Sequence, residues 1–120
     1  MKQKLYDKKK NKQVKRWRAM MVKHIVMWKI QGINGLSKEE VATNIKSELE
    51  ALNGQIEGLL SLEVGIDFLH SDSSYDVVLY SELESKEALD FYQSHPLHVQ
   101  VATNTVKPAA TSRIVVDYEI

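Results

Sequence analysis

The chain has 120 residues, 43% of them hydrophobic and 27% charged, with a formal net charge of zero at pH 7. This length accommodates one ordinary domain with one core, and the composition is far from that of disordered chains. Because the chain has no cysteine, a disulfide framework, a thiolate nucleophile and a cysteine-ligated metal centre are excluded.

The basic residues are concentrated at the N-terminus. Nine of the 16 lysines and arginines lie in residues 1–20, beside a single acid, Asp7. The remainder carries seven basic and 15 acidic residues, a formal charge of −8. Since an acidic surface repels phosphate backbones, we expect no nucleic-acid binding by the folded domain.

Residues 1–20 have no sustained apolar period and no apolar run of the length that a signal peptide or a membrane span requires. Like-charged blocks of this kind are usually solvated, which predicts a basic, poorly ordered N-terminal tail. The folded domain is therefore predicted to cover residues 21–120. A cytoplasmic location without membrane contact agrees with the absence of cysteine.

The run "VKHIVMWKI" at Val22–Ile30 is β-branched and aromatic, which predicts a first strand. Alternation divides its side chains between two faces: His24, Val26, Trp28 and Ile30 on one, and Ile25 and Met27 on the other. Both faces are largely apolar, so we expect both to be covered.

A helix is predicted to begin after "QGING", where "SKEE" at Ser37–Glu40 forms a capping box. Apolar residues then follow at spacings of three and four until Gly54 and Gly58 end the helix. The stripe consists of Val41, Ile45, Leu49, Leu52 and Ile56.

Alternation in "LLSLEVGIDFLH" predicts a half-buried second strand. Its apolar face is predicted to carry Leu60, Leu62, Val64, Ile66 and Phe68. After the turn "SDSS", the run "YDVVLYSEL" beginning at Tyr75 predicts a third strand that forms a hairpin with the second.

Ser85 is predicted to cap a second helix, with Tyr92 on its apolar side. The helix should end before Pro96, because proline disfavours the α conformation at His95. Pro96 then suits the first turn of a further short helix. The closing "TSRIVVDYEI" predicts a fourth strand.

The resulting order is βαββαβ, an α+β ferredoxin-like arrangement with an antiparallel sheet and helices on one face. The other sheet face is left uncovered, and its expected residues are Ile25, Met27, Val77, Leu79, Ile114 and Val116. A second copy of the chain would cover such a face most simply, so we expect a homodimer.

Four segments together are similar to the stress-responsive A/B barrel, or Dabb, family: "VKHIVMWKI", "GLLSLEVGID", "SYDVVLYSELESKEALDFYQSHPLHVQV" and "RIVVDYEI". The similarity covers nearly everything from Val22 to Ile120, and its most specific piece is "YQSHPLHV". It implies a small dimeric α/β barrel protein of a family in which many members have no assigned activity.

One plant branch of this family, olivetolic acid cyclase, performs an aldol cyclisation of a polyketide chain. The resemblance implies that Tyr92 and His98 match its acting tyrosine and histidine, and that His24 matches another pocket histidine. A further pocket histidine of that branch falls where this chain has Asp76, so the resemblance alone does not imply the same substrate.

Each candidate site residue has a structural alternative. His98 is either a general acid or base or a buried histidine held for order, and Tyr92 is either a hydrogen-bond donor at the site or a core aromatic. His24, together with Val26 and Trp28, is either the lining of a ligand pocket or plain core. His95 is expected to serve the turn or cap the short helix.

His95 and His98 also have the i, i+3 spacing of a metal pair, but Pro96 lies between them and spacing fixes no third ligand. No metal and no cofactor are therefore predicted. Two functions remain open: a small-molecule enzyme or carrier with carbonyl acid–base or polyketide-cyclase-like chemistry, and a non-catalytic structural or stress-response dimer. Monooxygenases that share the barrel architecture are a third and weaker analogy.

Overall fold

The structure is a computed structural model that describes residues 21–120, so the predicted N-terminal tail lies outside the described residues. The elements, in chain order, are β1 (Val22–Ile30), α1 (Lys38–Glu50), β2 (Leu59–Ile66), β3 (Val77–Leu83), α2 (Lys86–Ser94), α3 (Pro96–Val101), a π-helical turn (Ala102–Val106) and β4 (Ala110–Glu119). The βαββαβ order predicted from the sequence is confirmed.

The strands form one antiparallel sheet in the order β2-β3-β1-β4. The inner face of this sheet packs against the helices. One of its two central strands, β1, buries Val22, His24, Val26, Trp28 and Ile30. The alternation predicted for β1 is therefore confirmed, and it places a histidine in the middle of an apolar layer.

Helix α1 begins at the predicted capping box, in which Ser37 Oγ accepts from the Glu40 N–H and the Glu40 carboxylate accepts from the Ser37 N–H. The α-helix ends at Glu50, earlier than the apolar stripe predicts. Leu52 and Ile56 nevertheless remain buried, because the turns that follow keep both side chains against the core. The stripe predicts burial correctly and overestimates the length of the helix.

The predicted face of β2 is only partly correct. Leu62 and Val64 are buried, whereas Leu60 is 37% exposed and Phe68, beyond the end of the strand, is 88% exposed. A register shift between Leu59 and Ser61 adds one residue to this strand, so Leu59 replaces Leu60 on the inner face.

The predicted outer face is wrong for two residues. Val77 and Leu79 pair with Trp28 and Val26 of β1, and both are buried on the helix side. Val78 takes the outer position in the same row as Met27. Four consecutive apolar residues at the start of β3 leave its orientation open in the sequence, and the pairing with β1 decides it.

The outer face of the sheet is apolar and faces no other element among residues 21–120. It carries side chains from β1, β3 and β4: Ile25, Met27, Val78, Ile114 and Val116. Met27 is 37%, Ile114 47% and Val116 60% exposed in the isolated chain. An apolar sheet face of this kind is typical of an interface between copies.

We expect the protein to sediment at micromolar concentration with about twice its chain mass of 13.7 kDa. Val116→Lys should shift it to the monomer, because the charge would enter the proposed interface while costing the isolated fold little. Leu97→Lys, at an exposed position on α3 and so on the helix side of the sheet, is the matched control and should remain dimeric. Analytical ultracentrifugation of the three proteins decides this, and a monomeric wild type would refute the expectation.

Candidate functional site

The site begins at the break between α2 and α3. His95 adopts an extended backbone, with φ −66° and ψ 135°, and Pro96 occupies the first turn of α3. His95 Nδ1 accepts the Leu97 N–H at 3.1 Å, so this histidine is the N-cap of α3. The chain therefore changes direction over one residue, as the proline predicts.

The change of direction brings His98 back against α2. Its ring centroid lies 4.4 Å from that of Tyr92, with the planes inclined by 45°. His98 Nδ1 lies 3.0 Å from the carbonyl oxygen of Gln93. Since a carbonyl only accepts, Nδ1 carries the proton of the neutral ring, and Nε2 is left with a free lone pair.

Burial lowers the pKa of His98 from its ordinary value of 6.5. The hydrogen bond to the Gln93 carbonyl opposes this effect, while electrostatic interaction with His24, Arg113 and His95 lowers the pKa of His98 further. The neutral ring is therefore the main form at neutral pH. A neutral imidazole with a free Nε2 is able to accept a proton.

His24 on β1 faces the same region and is only 2% exposed. Its Nδ1 hydrogen-bonds the carboxylate of Asp117 on β4, and its backbone carbonyl accepts from Ser81 Oγ at 3.0 Å. The ring lies edge-on to Tyr92, with centroids 6.1 Å apart. The carboxylate thus fixes the ring so that Nε2 remains available.

Tyr92 lies between the two histidines and is fully buried. Its hydroxyl has no hydrogen-bond partner within residues 21–120, whereas buried hydroxyls in proteins nearly always have one. Burial raises the pKa of this phenol above its ordinary value of 10.0, so the hydroxyl stays protonated and remains a donor. The hydroxyl is therefore a candidate partner for a ligand oxygen.

A cavity of about 420 Å³ lies between the inner face of the sheet and the helices. Small-molecule sites span roughly 300–1,000 Å³, so the volume fits one small ligand. His24, Val26, Trp28 and His98 all line this cavity, but Tyr92 does not. The remaining lining residues are Leu49, Leu79, Gln93, Val99, Ala102, Thr103, Val106, Lys107, Ala110 and Arg113.

Three polar residues of this region were missed in the sequence. Arg113 and Asp117 lie on the inner face of β4. They alternate with Ile114 and Val116, so the sequence pattern predicts that they lie on the face opposite to those two residues. Lys107 lines the cavity because a π-helical turn precedes it, and no sequence pattern that we recognised predicts such a turn.

Asp76, where the resemblance implies a pocket histidine, has a different place. Its Oδ2 accepts the Ile30 N–H at 2.9 Å, and its Oδ1 lies 3.1 Å from Lys38 Nζ. It does not line the cavity, and these contacts hold the end of β1 to the start of α1. The departure at this position thus supplies a structural carboxylate.

Within residues 21–120 the structure brings no three histidine, aspartate or glutamate side chains into a group able to hold a metal ion. Nδ1 of His95 and Nδ1 of His98 are each already engaged by backbone groups. Over the same range, no helix has the length and apolar character needed to cross a membrane.

Comparison with protein families gives a match over nearly the whole described chain. The family model of the stress responsive A/B barrel domain matches residues 22–120. A stress-response A/B barrel domain-containing protein of Arabidopsis thaliana is 32% identical over 104 residues, which cover 83% of this chain. The matched region is 37% of the length of that plant protein, so the chain spans about a third of this relative.

Solved structures show the same fold. A dimeric protein of unknown function with a ferredoxin-like fold from Bacteroides fragilis is 34% identical, with a TM-score of 0.70 over 83% of this chain and 96% of that one. Hydroxynitrile lyase from Passiflora edulis is 18% identical, with a TM-score of 0.70 over 85% of this chain and 94% of that one. The first similarity supports the dimer, and the second shows the fold alone.

Two variants that each remove a buried hydroxyl test whether the Tyr92 hydroxyl is hydrogen-bonded in the free protein. Ser81→Ala should lower the free energy of unfolding by about 0.5–1.5 kcal/mol, because it removes a satisfied hydrogen bond. Tyr92→Phe should leave the free energy of unfolding unchanged or raise it, because the hydroxyl that it removes has no partner. Urea unfolding measures both, and a loss of about 1 kcal/mol or more in Tyr92→Phe would show that the hydroxyl is hydrogen-bonded in the free protein.

Proposed function

The chain belongs to the stress responsive A/B barrel domain family, and from that premise we propose that it binds a small carbonyl compound in the cavity and moves a proton at the carbon next to the carbonyl group. The observation that carries this proposal is the position of His98 in the cavity wall, where Nδ1 is bonded to the Gln93 carbonyl and Nε2 has no partner among residues 21–120. Proton transfer needs a base held close to a bound substrate and shielded from bulk water.

His98 is the proposed general base. Its Nε2 takes the proton from carbon, the electron pair of the C–H bond becomes the C=C bond of an enolate, and negative charge develops on the carbonyl oxygen. The lowered pKa keeps the ring unprotonated at neutral pH, which is the state that this step requires. The Gln93 carbonyl supports the step because it holds the Nδ1 proton while Nε2 gains one.

Tyr92 is the proposed donor to the developing oxyanion. The buried hydroxyl lacks a partner among residues 21–120, and the raised pKa keeps its proton in place. Because Tyr92 does not line the cavity, this role requires a bound ligand to reach the hydroxyl past the His98 ring. A donor aimed at developing charge in a dry site is among the larger contributions to catalysis.

His24, Val26 and Trp28 are the proposed ligand-binding wall on β1. The Asp117 carboxylate engages Nδ1 and orients the His24 ring, so Nε2 is the ring atom left for a hydrogen bond with the ligand. Val26 and Trp28 supply apolar surface and narrow the room available to water. The ligand-binding role of these residues is therefore separate from the proton transfer at His98.

The relatives support the proposal at the level of the fold. A hydroxynitrile lyase shares this architecture, so an enzyme is compatible with it, although 18% identity carries no residue roles across. The dimeric relative at 34% identity supports a homodimer for this chain, with the outer sheet face as the proposed interface. The cavity opens on the opposite side of the sheet, so pairing of the outer faces leaves it accessible.

Hydrogen–deuterium exchange into a ketone tests the proton transfer without knowledge of the full reaction. We expect the wild type to accelerate exchange of the α-protons of phenylacetone in deuterated water, followed by NMR. His98→Ala should reduce the enzymatic rate by about 10²-fold or more, because general bases contribute at this scale. Tyr92→Phe should reduce it as well.

His70→Ala is the matched control, since His70 is exposed in the β2–β3 connection and does not line the cavity. It should retain the wild-type rate. If the wild type exchanges no faster than the His98→Ala variant, the catalytic role of His98 is wrong. A wild type without any acceleration would favour the non-catalytic dimer.

The lowered pKa of His98 also predicts a pH dependence of stability. Above its ordinary pKa of 6.5 the ring is neutral in the folded and unfolded chains, so the shift has no effect. Below 6.5 the unfolded chain takes up the proton first, and the wild type loses stability until the pH reaches the lowered folded pKa. His98→Gln lacks this loss.

The measurement is urea unfolding of wild type and His98→Gln between about pH 5 and about pH 8. The difference in unfolding free energy between the two proteins should be constant in the upper part of this range. At lower pH, the wild type should lose stability relative to His98→Gln. His24, His95 and Arg113 face His98 and are present in both proteins, so their own contributions to the difference largely cancel. A difference that does not vary with pH would contradict the prediction.

A further inference from the structure

The charges around the cavity are opposite in sign to those of the domain. Residues 21–120 contain 15 acidic and seven basic residues. None of the acidic residues lines the cavity, whereas two of the basic residues, Lys107 and Arg113, do. A cavity wall without carboxylates in an acidic domain favours a ligand of negative charge.

The other five cations among residues 21–120 already have partners. Four form ion pairs: Lys23 with Glu82, Lys38 with Asp76, Lys46 with Glu50, and Lys86 with Glu119. Lys29 Nζ lies 5.0 Å from the centre of the Tyr75 ring. Within this part of the chain, Lys107 and Arg113 have neither an ion pair nor an aromatic partner, and both line the cavity.

Separate elements bring the two cations to the cavity. Arg113 lies on the inner face of β4, directly opposite Trp28 of β1. Lys107 follows the π-helical turn, and its N–H donates to the Ala102 carbonyl, five residues earlier, at 2.9 Å. π-Helical turns occur frequently at functional sites. Here the turn belongs to the wall that carries Thr103 and Val106.

The cations and the apolar lining lie at different depths. Lys107 and Arg113 are exposed, so they mark the solvent side of the cavity. Val26, Leu49 and Leu79 are each at most 2% exposed and form its deep side. A molecule with an anionic end and an apolar body matches this arrangement.

We propose that the ligand of this cavity is a small carboxylic acid that also carries the reacting carbonyl group: its carboxylate binds Arg113 and Lys107 at the mouth, while the carbonyl group and the apolar body lie inward beside His98. This inference rests on the proposed function for the use of the cavity and adds the substrate class. The planar guanidinium of Arg113 offers two parallel N–H donors, which suits a carboxylate. Lys107 adds a second positive charge.

The test compares 4-phenylbutanoate with 4-phenylbutan-1-ol, which share an apolar body and differ in the charged end. NMR titration of the full chain should give the acid a Kd at least about tenfold lower than that of the alcohol. Arg113→Gln should remove most of this preference, Lys107→Gln should reduce it, and neither should change the binding of the alcohol. Added salt should weaken the acid selectively.

Lys86→Gln is the matched control, because Lys86 is exposed and lies outside this cavity. It should bind both probes as the wild type does. The inference is overturned if the acid does not bind, binds no more tightly than the alcohol, or keeps its affinity in Arg113→Gln. Deuterium exchange into the neutral ketone requires neither cation, so that test can succeed when this inference fails. Selective binding of the acid can likewise be observed when no exchange is catalysed.

Discussion

The arrangement of the site depends on one covalent constraint, the proline at position 96. A proline ring disfavours helical backbone at the preceding residue, and His95 accordingly adopts ψ 135°. If α2 continued as an unbroken helix, its axis would carry position 98 onward past Tyr92. Because the helix stops, the next turn folds back and the His98 ring contacts the Tyr92 ring. The same break leaves the Gln93 carbonyl free to accept from His98 Nδ1.

Signals that act over a few residues could be predicted from the sequence. The capping box at Ser37 and Glu40, the cap at Ser85 and the break at Pro96 each depend on the local chain, and each is present. The fold followed from the order of these elements, and the family resemblance indicated His98, Tyr92 and His24 as candidate site residues. Whether those residues act on a ligand is still a proposal.

Features that depend on pairing between distant segments could not be predicted in the same way. The predicted orientation of β3 was wrong at Val77 and Leu79. Four successive apolar residues are compatible with either face of the sheet, and only the pairing with β1 selects one of them. Leu60 was wrong because an extra residue in β2 alters the alternation. Lys107 and Arg113 line the same cavity only because the tertiary fold brings their two segments together. The count of charges along the chain therefore did not predict two cations at one site.

The π-helical turn also determines the direction in which the side chain that follows it, Lys107, points. Each residue of an α-helix advances about 100° around the axis, whereas the hydrogen bond from Lys107 to Ala102 closes a wider turn. If the same residues adopted the tighter α-helical pitch, Lys107 would be rotated away from the cavity wall. The wider pitch of this short segment therefore determines that the Lys107 side chain faces the cavity.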